Sequence, residues 1–148
     1  MTKALPNLAV LGATGVVGRE ILNILDENKV EYNSIKFLAS KRSAGSTIEF
    51  KGEKHTVIEA TDDVFDGINI CLASAGGETS KRFAPVAAKK GCVFIDNSSA
   101  FRMEPDVPLV IAGVNDEDLR KHKGIISNPN CSTSQLMLPL KALDEKFK

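Results

Sequence analysis

The stretch Leu8-Ala9-Val10-Leu11-Gly12-Ala13-Thr14-Gly15-Val16-Val17-Gly18 decides the fold. Its four leading apolar residues end at a glycine, which is typical of a short strand buried on both faces of a sheet. Apolar residues then recur at helical spacing, at Val17, Ile21, Ile24 and Leu25. This spacing predicts a helix over residues 15–28, so the segment reads as strand, glycine-rich turn and helix.

The same alternation continues along the chain. Short apolar runs predict further strands at 35–39, 68–72, 93–95, 109–111 and 125–126. Amphipathic segments predict helices at 79–90, 115–120 and 136–147. Pro85 is expected to kink or shorten the first of these. Residues 47–58 flank a Lys-Gly-Glu turn and predict a small hairpin. We therefore expect an α/β fold, a doubly wound, mostly parallel sheet with helices on both faces and a hairpin insertion.

Length and charge narrow the function classes. The chain has 148 residues, enough for one domain with its own core. Lys plus Arg and Asp plus Glu each total 19, and this balance argues against nucleic-acid or membrane-surface binding. No apolar run reaches the ~18 residues of a membrane span. Three widely separated cysteines favour a reduced, cytoplasmic protein.

Each of the three glycines in the first turn has a role that a dinucleotide-binding turn requires. In this context Gly12 makes the tight turn, Gly15 lets the backbone approach a pyrophosphate, and Gly18 lets helix and strand pack closely. The N–H groups at the start of the helix then bind the phosphates. The spacing is a variant of the dinucleotide-binding pattern, so we expect a dinucleotide site. A turn with only a packing role is the alternative.

The residues after the second predicted strand indicate which dinucleotide. An NAD site usually places a carboxylate there to hold the ribose 2′-OH. This chain has Ser40-Lys41-Arg42-Ser43 instead, and Arg and Ser suit a 2′-phosphate. We therefore expect NADP in preference to NAD; a solvated basic turn is the alternative.

One cysteine differs from the other two. Cys71 and Cys92 lie inside predicted strands and are expected to be small buried apolar residues. Without a C-x-x-C pair or a nearby histidine, no metal site is expected. Cys131 stands directly before the last helix, where positive potential favours the thiolate. It is a candidate nucleophile; the alternative is a cysteine that merely occupies the first position of a capped helix.

The two histidines do not supply a base for such a nucleophile. His55 lies in the predicted hairpin and His122 lies among basic residues, and both are expected on the surface. A general base for Cys131 is therefore not visible in the sequence.

Five motifs, in this order along the chain, resemble the aspartate-β-semialdehyde dehydrogenase family. They are Gly12 to Gly18, Leu38 to Gly45, Ser74-Ala75-Gly76-Gly77, Asp96 to Arg102, and Asn128-Pro129-Asn130-Cys131-Ser132-Thr133. The resemblance spans nearly the whole chain and makes Cys131 the catalytic nucleophile. It implies an NADP-dependent oxidoreductase that converts β-aspartyl phosphate to the semialdehyde through a cysteine acyl-thioester. That reaction serves lysine (through diaminopimelate), methionine, threonine and isoleucine biosynthesis.

The resemblance also implies roles for other residues. Substrate binding falls to Arg102 and Asn130. Cofactor binding falls to Gly12, Thr14, Gly15, Val16, Val17, Ser40, Arg42, Ser43, Thr61, Ser74, Ala75 and Gly76. Within that set Ser40 and Thr61 are expected to join the 2′-phosphate site. Taken alone, Arg102 could be a surface arginine and residues 74–76 an ordinary turn.

The family is longer than this chain. We expect residues 1–148 to form a Rossmann-like NADP-binding domain that includes the nucleophile segment 128–133. A second domain, with the base histidine and the main interface of a homodimer, is expected outside it. The chain alone would then bind NADP without turnover. A related N-acetylglutamyl-phosphate reductase or a non-catalytic nucleotide-binding module are the alternatives.

Overall fold

The computed structural model describes residues 4–147. Its strands are β1 (Asn7–Leu11), β2 (Ser34–Ala39), β3 (Thr47–Phe50), β4 (Glu53–Thr56), β5 (Ile58–Glu59), β6 (Ile70–Ala73), β7 (Val93–Asp96) and β8 (Ile125–Ser127). Its α-helices are α1 (Val16–Glu27), α2 (Gly77–Lys89) and α3 (Cys131–Phe147). Short 3-10 helices cover Asp62–Phe65 and Asp116–Lys121.

Six strands form one parallel sheet in the order β5-β2-β1-β6-β7-β8. β3 and β4 form a separate antiparallel hairpin. In this order the chain moves outward from β1 on one side, then returns and moves outward on the other. The predicted doubly wound fold and its hairpin insertion are thereby confirmed.

The core lies on both faces of the sheet. Ala9 and Leu11 of β1 face a cluster that includes Phe83 and Ala87 of α2. Val10, between them in sequence, belongs to the opposite cluster with residues of α1 and the hairpin. Because successive strand residues point to opposite faces, a continuous apolar strand can serve both clusters.

The predicted strand at 109–111 is wrong. The structure has only an isolated bridge between Leu109 and Ser127. The Ser127 N–H donates to the Pro108 carbonyl and the Val110 N–H donates to the Ser127 carbonyl, and the pairing stops there because Pro108 and Pro129 have no N–H to extend the ladder. The Asn115 side chain binds the groups of this segment that point away from β8: its Oδ1 accepts from the Ile111 N–H at 2.7 Å and its Nδ2 donates to the Leu109 carbonyl at 3.0 Å.

Other predicted boundaries shift for local reasons. Residues 56–58 divide between the hairpin and β5, because β5 pairs with β2 in the main sheet. The helix expected at 115–120 is a 3-10 helix. Pro85 lies inside α2 without ending it, and Lys81, whose carbonyl loses its helical partner, is exposed to water.

The histidines differ from expectation as well, since each is half-buried. The His55 ring lies 4.9 Å from that of Phe37, and His122 Nδ1 accepts a hydrogen bond from the Gly124 N–H.

The first turn packs too closely for any side chain at two glycines. A β-carbon at position 18 would lie 2.1 Å from the Gly12 carbonyl oxygen. At position 12 it would lie 2.3 Å from the Ser74 oxygen, and Gly12 has a φ of +86°. The expected close packing of helix against turn is therefore present at Gly18.

We predict that Gly18→Ala lowers the free energy of unfolding by about 3 kcal/mol, since the added methyl must displace main chain. Urea denaturation followed by circular dichroism measures this. Gly77→Ala is the matched control, because its β-carbon would meet only Ala100 Cβ at 4.0 Å. The control should change stability by less than about 1 kcal/mol. Equal urea midpoints for Gly18→Ala and the wild type would contradict the packing argument.

Candidate functional site

A cleft of about 780 Å³ opens where the strand order reverses between β1 and β6. The ends of β1, β2 and β5 contribute to its lining, together with the residues that follow β6 and the start of α2. Crevices at this point of a doubly wound sheet are where such folds bind ligands. Eight of the residues predicted to bind the cofactor line this cleft: Gly12, Thr14, Gly15, Ser40, Arg42, Ser43, Ser74 and Ala75.

The N-terminus of α1 supplies an anion-binding end to this cleft. Gly15 is the N-cap residue, and no side chain caps the helix. No acidic residue lies in the first turn, so nothing there offsets the positive end of the helix dipole. These uncapped N–H groups suit a phosphate.

The turn after β2 places basic residues along the cleft. The Ser40 carbonyl accepts hydrogen bonds from the N–H groups of Ser43 and Ala44, which folds residues 40–44 into a compact turn. Lys41 and Arg42 on that turn are exposed and line the cleft. The turn therefore brings positive charge and hydroxyl groups to one position.

Four predicted cofactor residues do not line the cleft. Val16 and Val17 are exposed in the first turn of α1, so only their main-chain N–H groups could serve a phosphate. Thr61 is the exposed N-cap of the 3-10 helix that follows β5. Gly76, with a φ of +88°, is the N-cap of α2.

Several cleft residues were missed by sequence reasoning. Glu59 was missed because its segment was assigned to the hairpin. Glu78, Thr79 and Arg82 lie on the first turns of α2, directly after the motif at 74–77 but outside it. The Arg82 guanidinium lies 4.5 Å from the Phe83 ring centre, and the Arg82 Nη2 lies 3.9 Å from Asp62 Oδ1. A predicted start of α2 at residue 77 rather than 79 would have placed Glu78, Thr79 and Arg82 at the sheet edge.

Cys131 begins α3 and is the exposed member of the three cysteines. Asn130 caps the helix, because its Oδ1 accepts hydrogen bonds from the Ser132 N–H at 3.0 Å and the Ser132 hydroxyl at 2.7 Å. The Cys131 Sγ lies 3.6 Å from the same oxygen. The thiol is therefore held at the positive end of a 17-residue helix, open to solvent.

Arg102 is tied to the segment that leads to Cys131. Its Nε donates to the Asn128 carbonyl at 2.9 Å, and its Nη2 donates to the Asn97 carbonyl at 3.1 Å. The side chains of Asn97 and Asn128 are themselves joined by a 2.5 Å hydrogen bond. The arginine and the nucleophile loop therefore form one hydrogen-bonded unit, although neither Arg102 nor Cys131 lines the cleft.

A buried carboxylate anchors this unit to the sheet. Asp96, fully buried at the end of β7, accepts hydrogen bonds from the Ser80 hydroxyl at 2.6 Å and from the N–H and hydroxyl of Ser98. The Asp96 carbonyl accepts the Asn128 N–H at 2.8 Å. The network joins α2, the 96–102 loop and the nucleophile loop at the same carboxyl edge as the cleft.

A family model described as "Semialdehyde dehydrogenase, NAD binding domain" matches residues 7–122. The chain belongs to this family. The matched range includes the first turn, the basic turn, residues 74–77 and Arg102, four of the five motifs found in the sequence.

Individual relatives in the semialdehyde dehydrogenase family extend the match through Cys131. An aspartate-semialdehyde dehydrogenase of Bacillus subtilis is 48% identical over 141 residues, which are 95% of this chain and 41% of that protein. The crystal structure of aspartate semialdehyde dehydrogenase II of Vibrio cholerae, complexed with ASA, matches with a TM-score of 0.91 and 41% identity over 97% of this chain. The enzyme of Candida albicans, solved with NADP, matches with a TM-score of 0.78 and 26% identity.

The chain spans less than half of these relatives, covering 48% of the Vibrio chain and 48% of the Candida chain. The expected resemblance and the nicotinamide-nucleotide class of the cofactor are confirmed. Within residues 4–147 no group of three or more His, Cys, Asp or Glu could hold a metal ion. In the same part of the chain, no helix has the length and apolar character to cross a membrane.

We predict that iodoacetamide at pH 8 labels the folded chain once, at Cys131. Burial raises the pKa of the Cys71 thiol and raises that of Cys92 to about 11, so both stay protonated and unreactive at pH 8. Mass spectrometry of the intact and digested chain counts and locates the labels. Denaturation in urea should raise the count to three, which is the control. Two or more labels on the native chain would contradict the burial of Cys71 and Cys92.

Proposed function

We propose that this chain is the NADP-binding and nucleophile-bearing half of an aspartate-semialdehyde dehydrogenase. The observation that carries the proposal is the placement of an exposed cysteine, at the N-terminus of α3, on the same sheet edge as the dinucleotide cleft. A cysteine and a reductant on one edge is the arrangement that reduction of an acyl phosphate needs. The named relatives favour β-aspartyl phosphate over an N-acetylglutamyl substrate.

The residues of the cleft fit a nicotinamide dinucleotide. The uncapped start of α1 suits the diphosphate, and Gly12 keeps the approach to it free of a β-carbon. Arg42, with Ser40 and Ser43, suits a 2′-phosphate, because its guanidinium matches phosphate in geometry and charge. We therefore assign NADP to this cleft in preference to NAD.

Cys131 is the proposed nucleophile. Its thiolate attacks the carbonyl carbon of the acyl phosphate; a carbon–sulfur bond forms, the carbon–oxygen bond to phosphate breaks, and inorganic phosphate leaves. NADPH, when bound, supplies the hydride that reduces the resulting thioester. Main-chain N–H groups at the start of α3 stabilise negative charge on the carbonyl oxygen during the attack.

Arg102 and Asn130 are the proposed substrate contacts. Two N–H groups of Arg102 hold the nucleophile loop, and its remaining N–H groups are available to an anion. Asn130 uses its side-chain oxygen as the helix cap, so its amide NH2 group is the part available to substrate. Binding and positioning are thus combined in both residues.

We further propose a domain arrangement and a cellular location for this chain. Residues 1–148 would form one domain, and a second domain would bring the general base and the homodimer interface. The cytoplasm is the proposed location, and small molecules rather than nucleic acid or membrane are the proposed partners. On this proposal the chain alone binds NADP and does not complete the reaction.

We predict that Arg42→Gln weakens NADP binding by about tenfold or more, because a charge-assisted hydrogen bond to the 2′-phosphate is lost. NAD, which lacks that phosphate, should bind the variant as it binds the wild type. Isothermal titration calorimetry with each nucleotide measures both constants. Arg120→Gln is the matched control, exposed and outside the cleft. Equal losses for NADP and NAD would contradict the role of Arg42, and absence of binding to either nucleotide would contradict the proposed function.

A further inference from the structure

Glu59 brings a carboxylate to the cleft from a neighbouring strand. β5 pairs in parallel with β2, and Glu59 lies opposite Ala39, the residue before Ser40. Glu59 therefore ends its strand at the level where the basic turn begins, and it lines the same cleft as Arg42. The sequence between 40 and 43 has no carboxylate, but the fold supplies one from β5.

The Glu59 carboxylate has no partner among the described residues. The side chain is half-buried, yet among residues 4–147 it makes no hydrogen bond or ion pair. Lys41 and Arg42 line the same cleft but form no salt bridge with it. By contrast Asp96, the buried carboxylate at the end of β7, has hydrogen-bond donors on both oxygens. A half-buried carboxylate without partners is a free acceptor facing the ligand space.

The chemistry of this position points to the adenosine ribose. In doubly wound dinucleotide sites a carboxylate at the end of the second strand accepts hydrogen bonds from the ribose hydroxyls. Here that strand is β2, and its end carries Ser40 and the basic turn. Glu59, one strand away at the same level, can fill the acceptor role.

We propose that Glu59 accepts a hydrogen bond from the adenosine ribose of a dinucleotide without a 2′-phosphate, and so lets the cleft hold NAD as well as NADP. This inference rests on the proposed function, because it requires a dinucleotide in this cleft. Arg42 and Glu59 then act in opposite directions on one position. Arg42 attracts the 2′-phosphate of NADP, whereas the Glu59 carboxylate repels that phosphate and binds the free hydroxyl of NAD.

The test is calorimetry of the chain with NAD and with NADP, for the wild type and for Glu59→Gln. We expect the variant to bind NAD about tenfold more weakly, since the charge-assisted hydrogen bond is lost. NADP should bind equally well or more tightly, since a like charge is removed. Glu78→Gln is the matched control, because Glu78 carries the same charge in the same cleft but on α2. Its substitution should leave the ratio of the two constants unchanged.

Four results would overturn the inference. Glu59→Gln could leave both affinities unchanged, or weaken the binding of both nucleotides by the same factor. Glu78→Gln could shift the ratio as much as Glu59→Gln, which would make the effect one of general cleft charge. If the wild type binds neither nucleotide, the proposed function fails and the inference fails with it. The first three results leave the proposed function standing, because that depends on nucleotide binding by the wild type and on Arg42.

Discussion

The contact of Gly18 with the Gly12 carbonyl is the constraint on which the rest of the site depends. Because neither residue has a β-carbon, α1 begins directly against the end of β1, with its first N–H groups uncapped. The absence of a β-carbon at Gly12 also lets Ser74, at the end of β6, approach the first turn. The turn, the helix start and the strand reversal therefore meet at one place, and the cleft is the space that they leave.

A hydrogen-bond network around Asp96 organises the part of the carboxyl edge at the ends of β7 and β8. Asp96 binds Ser80 of α2 and Ser98 of the following loop, and that loop carries Arg102. Arg102 in turn donates hydrogen bonds to the main-chain carbonyls of Asn97 and Asn128, the residues that follow β7 and β8. The position of Cys131 is thus determined by hydrogen bonds to buried or half-buried partners, although the thiol itself is exposed. A reactive group in solvent can be held accurately because its support lies inside the protein.

The strand–turn–helix pattern of residues 8–28, repeated as strand–helix alternation along the chain, was enough to predict the doubly wound sheet, since local periodicity and glycine spacing are properties of the sequence. Cys131 could also be placed at a helix start, because Pro129 disfavours helix just before it. The failures concern contacts between distant segments. The segment 109–111 pairs with β8 through a single bridge because Pro108 and Pro129 meet at the adjacent ladder positions, and the pairing of β5 with β2 brings Glu59 beside the basic turn. No pattern within either segment indicates its partner strand, so Glu59 could not be found from sequence alone, whereas a predicted helix start at 77 would have placed Arg82 at the sheet edge.

Phosphate binding by the main chain of the first turn is the central requirement of the dinucleotide site. The direct measurement is the change in backbone amide chemical shifts when NADP is added to the isotopically labelled chain. We expect the largest changes at the N–H groups of residues 12–18 and 40–43, with little change in the β3–β4 hairpin. Changes confined to other regions, or none at saturating NADP, would contradict the claim that this turn is the dinucleotide site.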